Sequence, residues 1–543
     1  MSETRLSGVA VSPGRASGPV VRVAEPLGAP ASGPKPADPA AESARIAPAT
    51  QAVVARLEAL AEAATGDAAV ILMTTAAMAA DPALISEAER LVVAEGLPAA
   101  RAVHESANGF AKTLAAAGGY MAERVRDIED VRDRVVAELL GVEPPGVPEL
   151  TAPSVLLARD LAPADTAGLH PDRVLALVTE EGGPTSHTAI LARSLGIPAV
   201  VAVRGLLALD AKALLVDGDT GLVEVADPDA TVLAAAKTGP ADWDGLGRTS
   251  DGHRVKVLGN IGSPADARAA VEAGAEGVGL FRTEFCYLDA AAEPTVAEQR
   301  AAYTAVLTPF AGKPVIVRTL DAGADKPLAF LSPDAEPNPA LGVRGLRVAF
   351  DRPGVLDRQL EAIAGAAEDS SAEVSVMAPM VATAAEATWF AERAHSAGIA
   401  RVGVMIEIPA AALAAREILE VVDFVSVGTN DLAQYTFAAD RQLGAVAALN
   451  DPWQPALLRL IAIIGEAAKA AGKPAGVCGE AAADPLLARV LTGLGMTSLS
   501  MNAPAIRGVG AGLAGVSRAE CEAIAKEVLS AADPVSARSR VAG

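Results

Sequence analysis

Sequence patterning points to a multidomain α/β protein: a β/α domain interrupted by an inserted α-helical domain, then a (β/α)8 TIM-type barrel. Three observations carry this reading. The chain has 543 residues, too many for one hydrophobic core, so about three domains are expected. Strand-and-turn patterns at 5–23 resume only at 154–225, with helical periodicity between them. Beyond residue 250, short apolar runs alternate with helical stretches, and repeated βα units over such a length fit a closed barrel better than two smaller open sheets. The expected boundaries are 1–25 with 147–230 for the β/α domain, 26–146 for the helical insert, 231–250 for a linker and 251–543 for the barrel.

Taken in order, RLSGVAVSPGRASGPVVRV (5–23) alternates and turns like a β-hairpin. GAPASGPKPADPAAES (28–43), rich in Pro, Ala and Ser, reads as a mobile loop. Residues 50–140 are helical by period. In the last helix Val125, Ile128, Val131, Val135, Val136, Leu139 and Leu140 share a face, while Asp127, Glu129, Asp130 and Asp133 fall largely elsewhere, as on a solvated face. Gly141 and Pro144-Pro145 stop it. An apolar strand at Val174–Val178 then leads to the turn Gly182-Gly183-Pro184, the hydroxyls of Thr185 and Ser186, and His187, which opens a short helix to Leu195. Gly196-Ile197-Pro198 starts another strand. Segment 233–250 reads as a partly helical linker. Eight apolar runs follow: VKVLGN, GVGLFRTE, VIVRTLD, VSVMAPM, VGVMIEIP, FVSVGTND, AGVCGE and SLSMN.

Bulk properties narrow the partners. A net charge of −22 argues against nucleic acid and against an anionic membrane surface, and suits a basic protein partner. The 3 cysteines, Cys286, Cys478 and Cys521, form no CxxC and suggest neither a disulfide framework nor a zinc site, so a reducing cytoplasm is expected. The N-terminus lacks the pattern of a secretory signal, and no apolar run is long enough to span a bilayer.

Two places carry chemistry. His187, one of 5 histidines, stands at a helix N-terminus, where free N–H groups and the helix dipole favour an attached dianionic phosphoryl group. Taken alone, a histidine in a Gly/Ser/Thr loop is ordinarily just a capped turn. The apolar runs end in Asn260, Arg282-Thr283-Glu284, Arg318 to Asp321, Glu407, Asn430-Asp431, Cys478-Gly479-Glu480 and Asn502. In a barrel these ends meet at one face, and several arginines aimed there would leave uncompensated charge without an anionic ligand. An anion-plus-metal pocket is expected.

GGPTSHTAILARSLGIPAV resembles the phosphohistidine loop of the PEP-utilizing enzymes. GVGLFRTEF, VIVRTLDAGADKP, NPALGVRGLR, GVMIEIPAA, VGTNDLAQYTFAADR and GVCGE resemble the PEP-binding domain of the Enzyme I group, which serves the bacterial PEP:sugar phosphotransferase system. With SPGRASG near the start, the resemblance covers nearly the whole chain. It implies a swivelling phosphohistidine domain, a helical insert that docks the phosphocarrier HPr, and a barrel that binds phosphoenolpyruvate (PEP) and pairs into a homodimer. By the same resemblance, His187 is the phosphohistidine nucleophile, Arg282, Arg318, Arg344, Asn430 and Arg441 bind PEP, Glu407 and Asp431 hold Mg²⁺, and Cys478 protonates the leaving enolate to pyruvate. For Cys478 a buried apolar role also fits, and Lys326 could either add charge at the pocket or pair with Asp321 or Asp325. The acidic residues of the insert would meet a basic face of HPr.

Three features depart from the family pattern: Ala324 where a second glycine is usual, Asn502 where serine is common, and the Pro/Ala-rich segment 26–50. PEP synthase and pyruvate phosphate dikinase share the histidine and barrel domains but need a further nucleotide-binding domain; this chain starts almost at its β/α domain and has no GxxxxGK[ST]. A GxGxxG match at Gly510, Gly512 and Gly515 lacks a following βαβ unit. The other alternative is a catalytically silent PEP-binding regulator.

Overall fold

A computed structural model of the protein describes all residues except 1–4, 13, 25–26, 64–66, 118–124, 144–145, 149, 162–168, 170–171, 184–186, 219, 228–242, 288–289, 291, 324–327, 329, 332–335, 442 and 543. The chain divides into two compact units, Met1–Lys237 with Gln442–Ala448, and Thr238–Arg441 with Leu449–Gly543.

The first unit holds an eight-stranded sheet: β1 (Arg5–Ser7), β2 (Val9–Ser12), β3 (Arg15–Arg22), β4 (Ser154–Ala158), β5 (Val174–Thr179), β6 (Ala199–Val201), β7 (Ala213–Asp217) and β8 (Leu222–Val225), in the order β1-β8-β7-β3-β4-β5-β6-β2. β4 and β5 are buried at every residue, as strands covered on both faces must be. Their alternating side chains feed two cores, Leu156 and Leu177 on one face, Val155, Leu157 and Val178 on the other.

The expected hairpin at 5–23 does not form. β2 pairs antiparallel with β6, and β3 pairs with β4 and β7, because burying the apolar strand faces in a large sheet outweighs local turn chemistry. β1 and β2 lie at opposite ends of the strand order with only Gly8 between them, so the sheet curls until its edges meet. Gly8 sits at that seam: its N–H donates to the Gly221 carbonyl at 2.9 Å, and a Cβ there would fall 2.4 Å from the Val201 carbonyl oxygen.

Among the described residues, five long helices run between β3 and β4, Ile46–Ala63, Asp67–Ala79, Pro82–Glu95, Ala99–Ala117 and Val125–Leu140, around one core. Helix begins earlier than the Pro/Ala-rich composition suggested. Asp38 caps Pro39–Ser43 by accepting from the N–H groups of Ala40 and Ala41, with proline at the first helical position where its missing donor costs nothing. The acidic residues of Val125–Leu140 also depart from expectation. Asp127, Asp130 and Asp133 are buried rather than solvated. Asp130 accepts from Arg134 Nε at 2.8 Å and Asp133 from Arg132 Nε at 2.7 Å, while Arg132 Nη1 donates across to Asn108 Oδ1 at 2.8 Å. These pairs let the carboxylates sit inside the bundle.

The second unit is a closed parallel barrel of β9 (Lys256–Ile261), β10 (Val278–Arg282), β11 (Pro314–Arg318), β12 (Glu373–Ala378), β13 (Val402–Ile406), β14 (Phe424–Val427), β15 (Ala475–Val477) and β16 (Ser498–Met501), with β16 returning to β9. Each strand overlaps one of the eight apolar runs. Helices begin at capping boxes in three of the crossovers, Ser263 with Asp266, Thr295 with Glu298 and Thr383 with Glu386, which satisfy otherwise orphaned N–H groups. Trp243–Ser250, within the segment read as a linker, is tied to this unit without helix: Gly247 N–H donates to Glu276 Oε1 at 2.8 Å. The GxGxxG match proves to be packing. Gly510 lies in helix Ala503–Ala514, where a Cβ would approach Trp243 Cε2 to 2.3 Å.

Candidate active site at the carboxyl-terminal mouth of the barrel

Parallel register sets the site. Arg282 and Arg318 are paired across β10 and β11, so two guanidinium groups leave the barrel side by side. Arg318 Nη2 donates to Glu284 Oε2 at 3.0 Å and its Nη1 lies 3.2 Å from Asp321 Oδ2, while its Nε, also buried, has no acceptor among the described residues. Burial opposes its charge, but the carboxylates of Glu284, Asp321 and Glu407 hold its pKa above the ordinary value. Burial and the neighbouring charge of Arg318 lower that of Arg282. A buried cation destabilised by its neighbours is what an anionic ligand would relieve.

Arg344, buried to 1% exposure, knits the mouth together. It donates through Nε to Asp321 Oδ1 at 3.3 Å, through Nη2 to Asp321 Oδ2 at 3.2 Å and Asp431 Oδ2 at 3.3 Å, and through Nη1 to the Tyr435 hydroxyl at 3.3 Å. Arg441 lies 3.6 Å from the same Asp431 oxygen, and its N–H is held by Gln434 Oε1 at 3.0 Å. Asn430 Oδ1 accepts from the Glu480 N–H at 3.1 Å.

Glu407, fully buried, follows β13. Its Oε1 accepts from the Met380 N–H at 2.6 Å, and its Oε2 has no hydrogen-bond partner among the described residues. Burial, with the nearby charges of Asp431 and Asp321, pushes its pKa up to about 7. Gly428 keeps the space beside Oε2 open, since a Cβ there would stand 2.7 Å away. An orphaned buried carboxylate oxygen beside a second carboxylate fits a small hard cation whose remaining ligands are water and substrate oxygens. No group of three metal-ligating side chains exists among the described residues; Glu407 and Asp431 are the two carboxylates that could hold such an ion.

Cys478 directly follows β15 at 2% exposure in a layer with Leu280, Met377, Met405 and Phe424. Burial pushes its thiol pKa up to about 11, so it remains protonated at neutral pH. Asn260 Nδ2 fixes its carbonyl at 2.9 Å.

The barrel residues anticipated from sequence are thus brought together, except Lys326 and Ala324, which lie outside the described residues. Asn502 is exposed ahead of helix Ala503–Ala514 and makes no side-chain cap. His187 belongs to the first unit, where it begins helix His187–Leu195 after β5; Pro184, Thr185, Ser186 and the His187 side chain lie outside the described residues. Sequence reasoning placed Asp321 and Glu284 at the strand ends, and Asp321 as a possible partner of Lys326, but did not identify them as the anchors of Arg318 and Arg344. Both stood in view as the acids closing the RTLD and RTE motifs. Gln359 had no such signal: it lies on helix Pro353–Ser370, accepts from the Leu320 N–H at 3.0 Å and donates to Thr283 Oγ1 and the Tyr303 hydroxyl, each at 3.1 Å, positioning the segment between Arg318 and Asp321.

The chain matches the PEP-utilising enzyme family in three parts, the N-terminal domain over residues 7–124, the mobile domain over 150–221 and the PEP-binding domain over 241–518. It is 54% identical to a phosphoenolpyruvate-protein phosphotransferase of Streptomyces coelicolor, covering 99% of this chain and 98% of that one. It is 38% identical to the protein of the same name from Geobacillus stearothermophilus over 97% and 96% of the two chains, and 38% identical to that of Bacillus subtilis over 83% of each. The chain belongs to the phosphoenolpyruvate-protein phosphotransferase family of PEP-utilising enzymes.

Proposed function

We propose that this enzyme moves the phosphoryl group of PEP to His187 and then to a histidine of the carrier HPr, releasing pyruvate, in the cytoplasm and as a homodimer. The observation that carries the reading is the convergence of Arg282, Arg318, Arg344 and Arg441 with Glu407 and Asp431 at one barrel mouth, in a chain alike over nearly its whole length to relatives named for this activity. Arg282 and Arg318 present guanidinium forks to the phosphate and carboxylate of PEP. Asp321 and Glu284 hold Arg318 and Arg344 in place before substrate arrives, so little reorganisation is needed at the moment of reaction. Asn430 donates from its amide to the phosphate, its carbonyl oxygen being taken by Glu480 N–H.

Glu407 and Asp431 would hold Mg²⁺, which supplies charge neutralisation on the phosphoryl oxygens. An imidazole nitrogen of His187 attacks phosphorus in line as the bond to the enol oxygen breaks, and the electron pair leaves on pyruvate enolate. Cys478 gives its proton to C3, forming pyruvate, and recovers one from solvent. Its raised thiol pKa keeps it in the donor form. The nucleophile and PEP residues belong to different compact units, which gives the 233–250 linker a hinge role; residues 233–242 of it lie outside the described residues.

Docking of HPr on the helical insert rests on family likeness alone. The burial of Asp127, Asp130 and Asp133, the last two paired with Arg134 and Arg132, removes them from the acidic surface that would meet a basic carrier.

Intact-mass spectrometry under mildly alkaline conditions, after PEP and Mg²⁺, tests the reading. One phosphoryl group gained by the wild type and not by His187→Ala, then removed by HPr with release of pyruvate, is expected. A folded wild type that gains nothing would favour a silent PEP-binding regulator.

A further inference from the structure

The opposite mouth of the barrel is open. A cavity of about 700 Å³ enters between the strand starts, with Lys256, Val278, Pro314, Phe424 and Ser498 at its wall. Barrels ordinarily fill this end with branched apolar side chains in layers. Here the wall includes Gly279 and Gly476 with the hydroxyls of Ser375, Ser426 and Ser500. The glycines cannot be enlarged to fill it cheaply, because a Cβ on Gly279 would lie 2.6 Å from Ser500 Cβ and one on Gly476 would lie 2.5 Å from Ser498 Oγ.

The rim is cationic in a chain whose net charge is −22. Arg254, Lys256, Arg401, Lys469, Lys473 and Arg518 line it, against the carboxylates of Glu466 and Glu522. Three of these cations are already engaged: Arg254 with Glu276, Arg518 with Glu522 at 2.9 Å, and Lys473 with the carbonyls of Leu419 and Val422 at 2.6 and 2.8 Å. Lys256 and Lys469 are exposed and hold no ion pair among the described residues, and the Arg401 guanidinium lies over the Phe424 ring, 5.5 Å from its centroid. Below this rim the throat turns apolar through Leu258, Ile316 and Phe424.

We propose that this lower mouth is a second ligand site, which takes a small organic phosphate with an apolar or planar body, its phosphate between Lys256, Lys469 and Arg401 and its body against Phe424, Ile316 and Leu258. Ammonium groups serve as point charges for phosphate, the Arg401–Phe424 pair offers a flat surface to a ring, and the volume matches that of small-molecule sites. The site is separate from the PEP pocket, which lies where the strands end. Its roof is shared with that pocket, since Phe424 and Ile316 pack in the layer that contains Cys478.

Calorimetric titration of the full-length protein with phenyl phosphate tests the proposal, using wild type, the double variant Lys256→Glu/Lys469→Glu, and Arg282→Ala. Saturable binding is expected in the wild type and in Arg282→Ala, weakened about tenfold or more in the double variant, whose phosphorylation by PEP is unchanged. Absence of saturable binding, or equal binding by wild type and double variant, would overturn the proposal. Loss in Arg282→Ala alone would place the probe in the PEP pocket and overturn it equally.

Discussion

The two mouths of one barrel handle charge in opposite ways. At the carboxyl-terminal mouth long side chains are buried and cross-linked, Arg344 to Asp321 and Asp431, Arg318 to Glu284 and Asp321. At the amino-terminal mouth Lys256, Lys469 and Arg401 stand exposed around a throat where glycine and serine mix with Leu258, Ile316 and Phe424. The same eight strands supply both, so the difference comes from which residues stand at strand ends and which at strand starts. Buried ions need partners before any ligand arrives, whereas exposed ions can wait in water.

The sharpest way to break this contrast is to remove one arginine from each mouth. Arg344→Met strands the buried carboxylates of Asp321 and Asp431 and is expected to cost about 3–5 kcal/mol; Arg401→Met gives up an exposed ring contact and should cost less than about 1 kcal/mol. Urea unfolding followed in the barrel measures both, and equal losses would erase the distinction.

Next in size is Glu407→Gln. It removes the proposed cation ligand and a buried charge together, so Mg²⁺-dependent phosphorylation should fall about a hundredfold, equivalent to a few kcal/mol of barrier, with barrel stability undiminished. A parallel loss of stability would show Glu407 to be structural. Gln359→Met then tests the positioning of the Thr319–Asp321 segment. Leaving the Leu320 N–H without its acceptor and the Thr283 and Tyr303 hydroxyl oxygens without their donor should cost about 1–3 kcal/mol and raise KM for PEP, while phenyl phosphate binding at the lower mouth stays as it was.

The smallest effect is a difference in rates. Since burial raises the Cys478 thiol to about 11, the reactive thiolate is scarce at neutral pH and grows about tenfold per pH unit up to that value. Peptide mapping after iodoacetamide should find Cys478 unmodified at pH 8 and increasingly modified towards pH 11. Rapid labelling at pH 8 would remove it as the proton donor.

The upper mouth was legible in sequence because strand runs ending in RTE, RTLD, IE and TND declare both the strand and the polar end it delivers. The pairing among those ends was not, since Asp321 and Arg344 are joined by a fold, not by spacing. The lower mouth had a sequence trace, as VSVM, FVSV and SLSM place serine at alternate positions within apolar strands, but whether such serines close a core or line a cavity depends on the neighbouring strand. The misread elements share that cause. The segment 5–23 has local hairpin character, yet its strands find distant partners, and the helical period of Val125–Leu140 located the apolar face without revealing that the adjoining helix would also cover Asp130 and Asp133.

Gly8 has a consequence for handling the protein. Because the strands on either side of it stand at the two ends of the sheet, shortening the N-terminus past Ser12 would uncover β8 and β6 together, leaving two rows of unpaired backbone groups. Such edges recruit other chains. A trimmed variant would therefore self-associate through intermolecular strand pairing, and a fusion partner is better borne at the other terminus.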